Sequence, residues 1–155
     1  MPLPSQDQRL SVAVHYRWGD LAKSENDRRR LSLEQIRTVL DLLGAHFNLS
    51  ITLYAELLDP DTRPALGHEY RLQNGGWIVD LVNEIASADV ILASTSGFTV
   101  LPAILAGVKR SGVVITHEAG QKYLTPFTAN IALLSNASDI LRCADFALKS
   151  RLAIA

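Results

Sequence analysis

The sequence holds one cysteine, Cys143, so no disulfide can close within the chain and no cysteine-rich metal site can be built. An excess of charge of either sign is also missing. The 15 Lys and Arg stand against 16 Asp and Glu, a formal net charge of −1, and no global field is available to gather nucleic acid. The one basic run, Arg28 to Arg30, lies beside Glu25 and Asp27 and reads as a solvated loop, or as a further contact for an anionic ligand or an acidic partner surface. The chain shows no charged-then-apolar leader and no apolar run near the roughly 20 residues that span a bilayer. Neither a nucleic-acid nor a membrane partner is expected. As given the chain reads as soluble, cytoplasmic as it stands and of the secretory pathway if it is a fragment. Internal repeats, low-complexity tracts and heptad arrays are absent as well.

What is present is the composition of a globular domain. With 155 residues, 48% of them hydrophobic and 20% charged, the chain can bury one core, and a single domain spanning residues 1–155 is expected, its first ten or so residues a flexible N-terminal segment. Cys143 falls in the last helical pattern among Ile140, Leu141, Ala144 and Ala147, where a small buried thiol is expected rather than a nucleophile.

Apolar periodicity gives the order of elements. Ser11 to Val14 is an apolar strand. Ser32 and Gln35 are spaced as a helix capping box, and Leu33, Ile36, Leu40, Leu43 and Phe47 then make one helical stripe. Ile51 to Ala55 is a second strand and His68 to Gln73 a candidate third, stopped by Asn74-Gly75-Gly76. Trp77 to Ala88 is helical in spacing, and the run from Ala88 to Ala93 leads into a fourth strand, short and apolar throughout as expected for one covered on both faces. Phe98 to Ala106 is helical in pattern, with Pro102 near its first turn and Gly107 at its end. Val113 to Thr116 is a fifth strand, Ile131 to Leu134 a candidate sixth, and Ser138 to Leu152 a closing helix. This alternation predicts an α/β, Rossmann-like parallel sheet of order 3-2-1-4-5, with helices on both faces.

In that order strands one and four are neighbours at the switch point, where open α/β sheets bind ligands. Their exits are the two most polar strand exits of the sequence. The first is His15-Tyr16-Arg17-Trp18-Gly19-Asp20. Arg17 offers a permanently charged planar fork suited to paired phosphate oxygens; the plain alternative is a surface arginine in a loop. His15, two residues earlier, shares its face and is either a packing residue or a neutral hydrogen-bonding group for sugar or phosphate. Gly19 permits close backbone approach, and Asp20 pairs with Arg17, caps the turn or meets a sugar hydroxyl. Tyr16 and Trp18 are read as core aromatics, with Trp18 also able to wall a base or sugar pocket.

The second exit is Ser94-Thr95-Ser96-Gly97, four small residues between a strand and a helix, whose N–H groups and hydroxyls can converge on one anion. Plain N-capping by Ser96 is the structural alternative, and it leaves Ser94 and Thr95 free. His117-Glu118 leaves the fifth strand and could extend the cleft. His46 and His68 have no partner at metal spacing, and no metal is expected.

Taken together, His15 to Asp20 and the stretch Ala88-Asp89-Val90-Ile91-Leu92-Ala93-Ser94-Thr95-Ser96-Gly97-Phe98 resemble the donor-binding, C-terminal lobe of GDP-fucose-dependent fucosyltransferase-like GT-B glycosyltransferases. The resemblance covers roughly residues 11 to 117. It implies metal-independent inverting transfer from a nucleotide-diphosphate sugar, GDP-fucose, with no resident cofactor and a glycan or protein acceptor. It carries the diphosphate-binding and catalytic role to Arg17, with His15 and Asp20 beside it, and donor binding to Gly19 and to the turn Ser94, Thr95, Ser96, Gly97 and Phe98. The sequence departs from the family at Trp18, where many members carry a second basic residue, and holds no counterpart of the acceptor lobe. Binding of a sugar nucleotide is therefore expected, with poor transfer unless an acceptor lobe or a second copy in a homo-oligomer joins it. A non-catalytic nucleotide or sugar-phosphate binding module of the same fold stays open as the alternative. So does an unrelated hydrolase or deoxyribosyltransferase-like chemistry on Glu56, His117 and Glu118.

Overall fold

A computed structural model describes residues 8–16, 31–55, 64–93, 112–126 and 130–154 of the chain. Its first strand, β1 (Leu10–Tyr16), is buried at five of its seven positions because it has a neighbour on both sides and a helical layer on both faces. β2 (Leu49–Ala55) lies parallel along one side, with Leu10 opposite Leu49 and Tyr16 opposite Ala55. β4 (Val90–Leu92) lies parallel along the other, with Val12 opposite Val90 and Val14 opposite Leu92. β3 (Arg71–Asn74) pairs with β2, β5 (Val113–Thr116) with β4, and β6 (Ile131–Leu133) with β5, all parallel. Among the described residues the sheet order is β3-β2-β1-β4-β5-β6. The expected five-strand order is thus present, and the candidate sixth strand extends it beyond β5.

Four helices are described. Helix α1 (Leu33–Gly44) opens with the expected capping box: the Ser32 hydroxyl accepts from the Gln35 N–H at 3.1 Å, and the Gln35 side-chain oxygen accepts from the Ser32 N–H at 2.9 Å. Such a cap contributes about 1 kcal/mol. Ile36, Val39, Leu40 and Leu43 are its buried stripe. The helix ends at Gly44, before Phe47, which still packs against the core as the chain turns into β2. Helix α2 (Ile78–Ala86) follows a turn in which Gly75 and Gly76 hold φ of 81° and 134°, a left-handed region that favours glycine. Helix α3 (Glu118–Leu124) follows β5, and α4 (Ala137–Ile154) closes the chain, its start capped by Asn136, whose side-chain oxygen accepts from the Asp139 N–H at 3.1 Å.

Strand alternation sends these side chains to two cores. Val12, Val14, Leu53, Leu92 and Ile115 pack with Ile36, Leu40 and Leu43 of α1 and Ile140 and Ala144 of α4. Ala13, Tyr54, Ile91, Ala93 and Val114 pack on the other face with Leu81 and Ile85 of α2 and Leu124 of α3. Each large aliphatic side chain fully buried this way contributes about 1.5–3 kcal/mol. The result is the expected doubly wound α/β arrangement.

The amino edge of the sheet is tied by one buried carboxylate. Asp89, 1% exposed, stands just before β4. Its side chain accepts from Arg151 Nε at 2.9 Å, from Arg151 Nη2 at 3.1 Å and from the Ser11 N–H at 2.9 Å. Arg151 Nη2 also donates to the Arg9 carbonyl at 2.7 Å. One pair therefore joins β1, β4 and the end of α4.

Three sequence expectations shift. β3 begins at Arg71 rather than His68, because His68 Nε2 is engaged by Asp41 Oδ1 of α1 at 2.8 Å and the Tyr70 hydroxyl donates to the Pro64 carbonyl at 2.6 Å. Helix α3 has no counterpart in the sequence reading. Leu10, within the stretch expected to be flexible, is already the fully buried first residue of β1, while residues 1–7 lie outside the described ones. The helix expected over residues 98–106 also lies outside the described residues.

Candidate functional site

The carboxyl edge of a parallel sheet gathers the ends of all its strands, and β1 and β4 end there side by side. From β1 the order runs outward through β2 and β3, and from β4 through β5 and β6 in the opposite direction. The strand order thus reverses direction between β1 and β4, and such a switch point is where doubly wound sheets take ligands. Tyr16 is the last residue of β1, and Ala93 directly follows β4. The next residues in sequence are Arg17 and Ser94. Arg17, Trp18, Gly19, Asp20, Ser94, Thr95, Ser96, Gly97 and Phe98 all lie outside the described residues, as do Arg28 to Arg30 and Glu56.

Of the first motif, His15 and Tyr16 are described. Tyr16 is 6% exposed and packs with Val12 and Val14 in the α1–α4 core, so its aromatic ring is structural. His15 is half-buried and opposite Tyr54 in the register with β2. By alternation it shares a face with Ala13, on the side covered by α2 and α3.

The β4–β5 border of the edge is held by side chains. Thr116, fully buried at the end of β5, donates its hydroxyl to the Ala93 carbonyl at 3.1 Å, and the Ala93 N–H donates to the Ile115 carbonyl at 3.1 Å. The backbone entering the serine-rich segment is thus fixed on both of its polar groups. Gly120 comes so close to Thr116 that an added Cβ would collide with the threonine hydroxyl, which makes glycine a packing requirement in the first turn of α3.

His117, the N-cap of α3, accepts at Nδ1 from the Gly120 N–H at 2.8 Å. A ring nitrogen that accepts carries no proton, so the proton of the neutral ring resides on Nε2. That Nε2 is buried and has no hydrogen-bond partner. A buried donor left unpaired costs about 1–3 kcal/mol, which marks the position among the described residues. The sequence located His117 at the strand exit but did not disclose the orphaned nitrogen, which depends on the fold of α3.

Other polar groups have structural explanations. Tyr54 is 5% exposed, and burial, reinforced by the charge of Glu84, pushes its phenol well above its ordinary pKa. Arg71 pairs with Glu84, so β3 is tied to α2 beside that phenol. Burial likewise pushes the Cys143 thiol up, with nearby Asp139 adding to it, the opposite of what a nucleophilic thiolate requires. Glu118 is exposed in the first turn of α3. Asp89, although it belongs to the matching stretch of the second motif, is committed to Arg151 at the opposite edge. Among the described residues no three His, Cys, Asp or Glu side chains group as metal ligands, and no helix is long and apolar enough to cross a membrane.

No protein-family model matches the chain, and no curated protein matches it in sequence. Solved structures do match in shape. One, described as trehalose-6-phosphate from E. coli bound with UDP-2-fluoro glucose, superposes with a TM-score of 0.53 at 16% identity, over 94% of this chain and 38% of that one. A second, the glycotransferase of kitacinnamycin, superposes with a TM-score of 0.51 at 11% identity, over 99% of this chain and 39% of that one. The chain spans well under half the length of either, and the likeness is one of fold.

Proposed function

We propose that this chain is the donor-binding lobe of a GT-B glycosyltransferase and that it takes a nucleotide-diphosphate sugar, GDP-fucose, at the carboxyl ends of β1 and β4. The observation that supports the reading is the pairing of those two strands, which makes Tyr16 and Ala93, the last described residues before the two ligand-suited segments, the exits of neighbouring strands. The likeness of fold to a protein bound with UDP-2-fluoro glucose and to a glycotransferase supports a sugar nucleotide as the class of ligand.

In this reading Arg17 clamps the diphosphate through paired charge-assisted hydrogen bonds. The N–H groups and hydroxyls of Ser94, Thr95, Ser96 and Gly97 form the opposing anion cradle. Gly19 lets the backbone approach, Phe98 borders the donor, and His15 and Asp20 contact sugar or phosphate oxygens. In transfer, an acceptor hydroxyl oxygen attacks the anomeric carbon, the bond to the diphosphate oxygen breaks, and the charge growing on the diphosphate is held by Arg17 and the cradle. A general base must take the acceptor proton. The acceptor site is assigned to a second lobe or a second copy, so the chain alone binds donor and transfers poorly.

The test is calorimetric titration with GDP, GDP-fucose, UDP-glucose and inorganic phosphate, followed by a donor-hydrolysis assay. Preference for GDP and GDP-fucose with slow hydrolysis supports the reading. Binding of phosphate with no nucleotide preference favours a non-catalytic binding module, and efficient turnover by the isolated chain contradicts the division of labour.

A further inference from the structure

The β4–β5 border carries a feature that the proposed site does not use. His117 sits one residue beyond Thr116, whose hydroxyl holds the Ala93 carbonyl, so the ring is anchored on the same stretch of backbone that leaves β4. Its Nδ1 is occupied by the Gly120 N–H at 2.8 Å, which fixes both the ring and its tautomer. Nε2 lies on the opposite side of the ring from that contact, protonated, buried and unpartnered. Capping alone requires only Nδ1. A serine caps a helix through one hydroxyl oxygen and has no nitrogen to leave unpaired. An oriented, desolvated donor at the carboxyl edge of a doubly wound sheet has the properties of a ligand contact.

We propose that His117 is a ligand-contacting residue whose Nε2–H donates to an anionic phosphate oxygen of the ligand held at the carboxyl edge of the sheet, beside the β4–β5 border. This rests on the sugar-nucleotide reading for the presence of that ligand and adds to it a neutral donor on the β5 side. Because the imidazole donates in its neutral tautomer, it contributes direction rather than net charge. It orients the phosphate while a guanidinium supplies the attraction.

The variant that separates the two jobs of this ring is His117→Asn. Its side-chain oxygen can still accept from the Gly120 N–H, while its amide nitrogen falls where the ring Cδ2 stood and does not reach the place of Nε2. Titrated with GDP and with inorganic pyrophosphate, His117→Asn is expected to bind both between about ten- and one-hundredfold more weakly than the parent, with its thermal midpoint unchanged. His117→Ala is expected to lose binding and thermal midpoint together. Nitrogen-15 spectra of the parent provide a readout that needs no variant: the Nε2–H resonance should shift when pyrophosphate is added. Equal affinity of His117→Asn and parent, or an Nε2 resonance unmoved at saturation, overturns the role of His117 and leaves the sugar-nucleotide reading standing. A parent that binds neither probe overturns both.

Discussion

Arg151 Nε and Nη2 grip the two carboxylate oxygens of Asp89 at 2.9 and 3.1 Å, across 62 residues of sequence, with Asp89 wholly buried and Arg151 only 17% exposed. The same arginine reaches the Arg9 carbonyl, and the same aspartate receives the Ser11 N–H, so the pair fastens the last helix to the first strand at the amino edge of the sheet.

Removing one partner of a buried pair strands the other charge, so Arg151→Met should destabilise the chain by about 3–5 kcal/mol. Asp89→Asn keeps hydrogen-bonding capacity and should cost less. Urea unfolding curves of the two variants check the order. Equal and small losses would mean that the fork is dispensable.

Gly120→Ala places a methyl group against the Thr116 hydroxyl and should cost about 1–3 kcal/mol through overpacking. Thr116→Ala relieves that collision, so in the double variant the two losses should add to less than their sum. A thermodynamic cycle on the four proteins measures the coupling.

Tyr54 supplies a pH dependence of definite sign. Its phenol is held neutral in the folded protein above its ordinary value of 10.0, whereas in the unfolded chain it ionises near that value. The unfolded state therefore binds fewer protons above pH 10, and stability contributed by the neutral phenol, complete below that pH, declines as pH rises further. Thermal midpoints recorded from about pH 9 to about pH 11 should fall in the parent and fall less in Tyr54→Phe.

Much of this fold is legible in the sequence because central parallel strands and amphipathic helices leave strong patterns. The continuous apolar run of β4 and the stripe Ile36, Leu40, Leu43 each specify an element without tertiary information. Helix α3 is not legible: it is seven residues long, has Gly120 in its first turn, and buries Leu124 rather than a repeating stripe. Nor does the partner of Asp89 show itself, since nothing local links it to Arg151. For the site, the sequence names the residue types at two strand exits, and the sheet order adds that the strands before them adjoin. The unpaired nitrogen of His117 emerges only from the packing of α3 against β5.

The most direct test of the central claim is calorimetric titration of GDP into the parent chain and into Arg17→Ala under identical salt. The account predicts saturable binding by the parent and a loss of about tenfold to one-hundredfold in Arg17→Ala, the worth of charge-assisted contacts to a diphosphate. Binding of GDP by Arg17→Ala as tight as the parent's would contradict it.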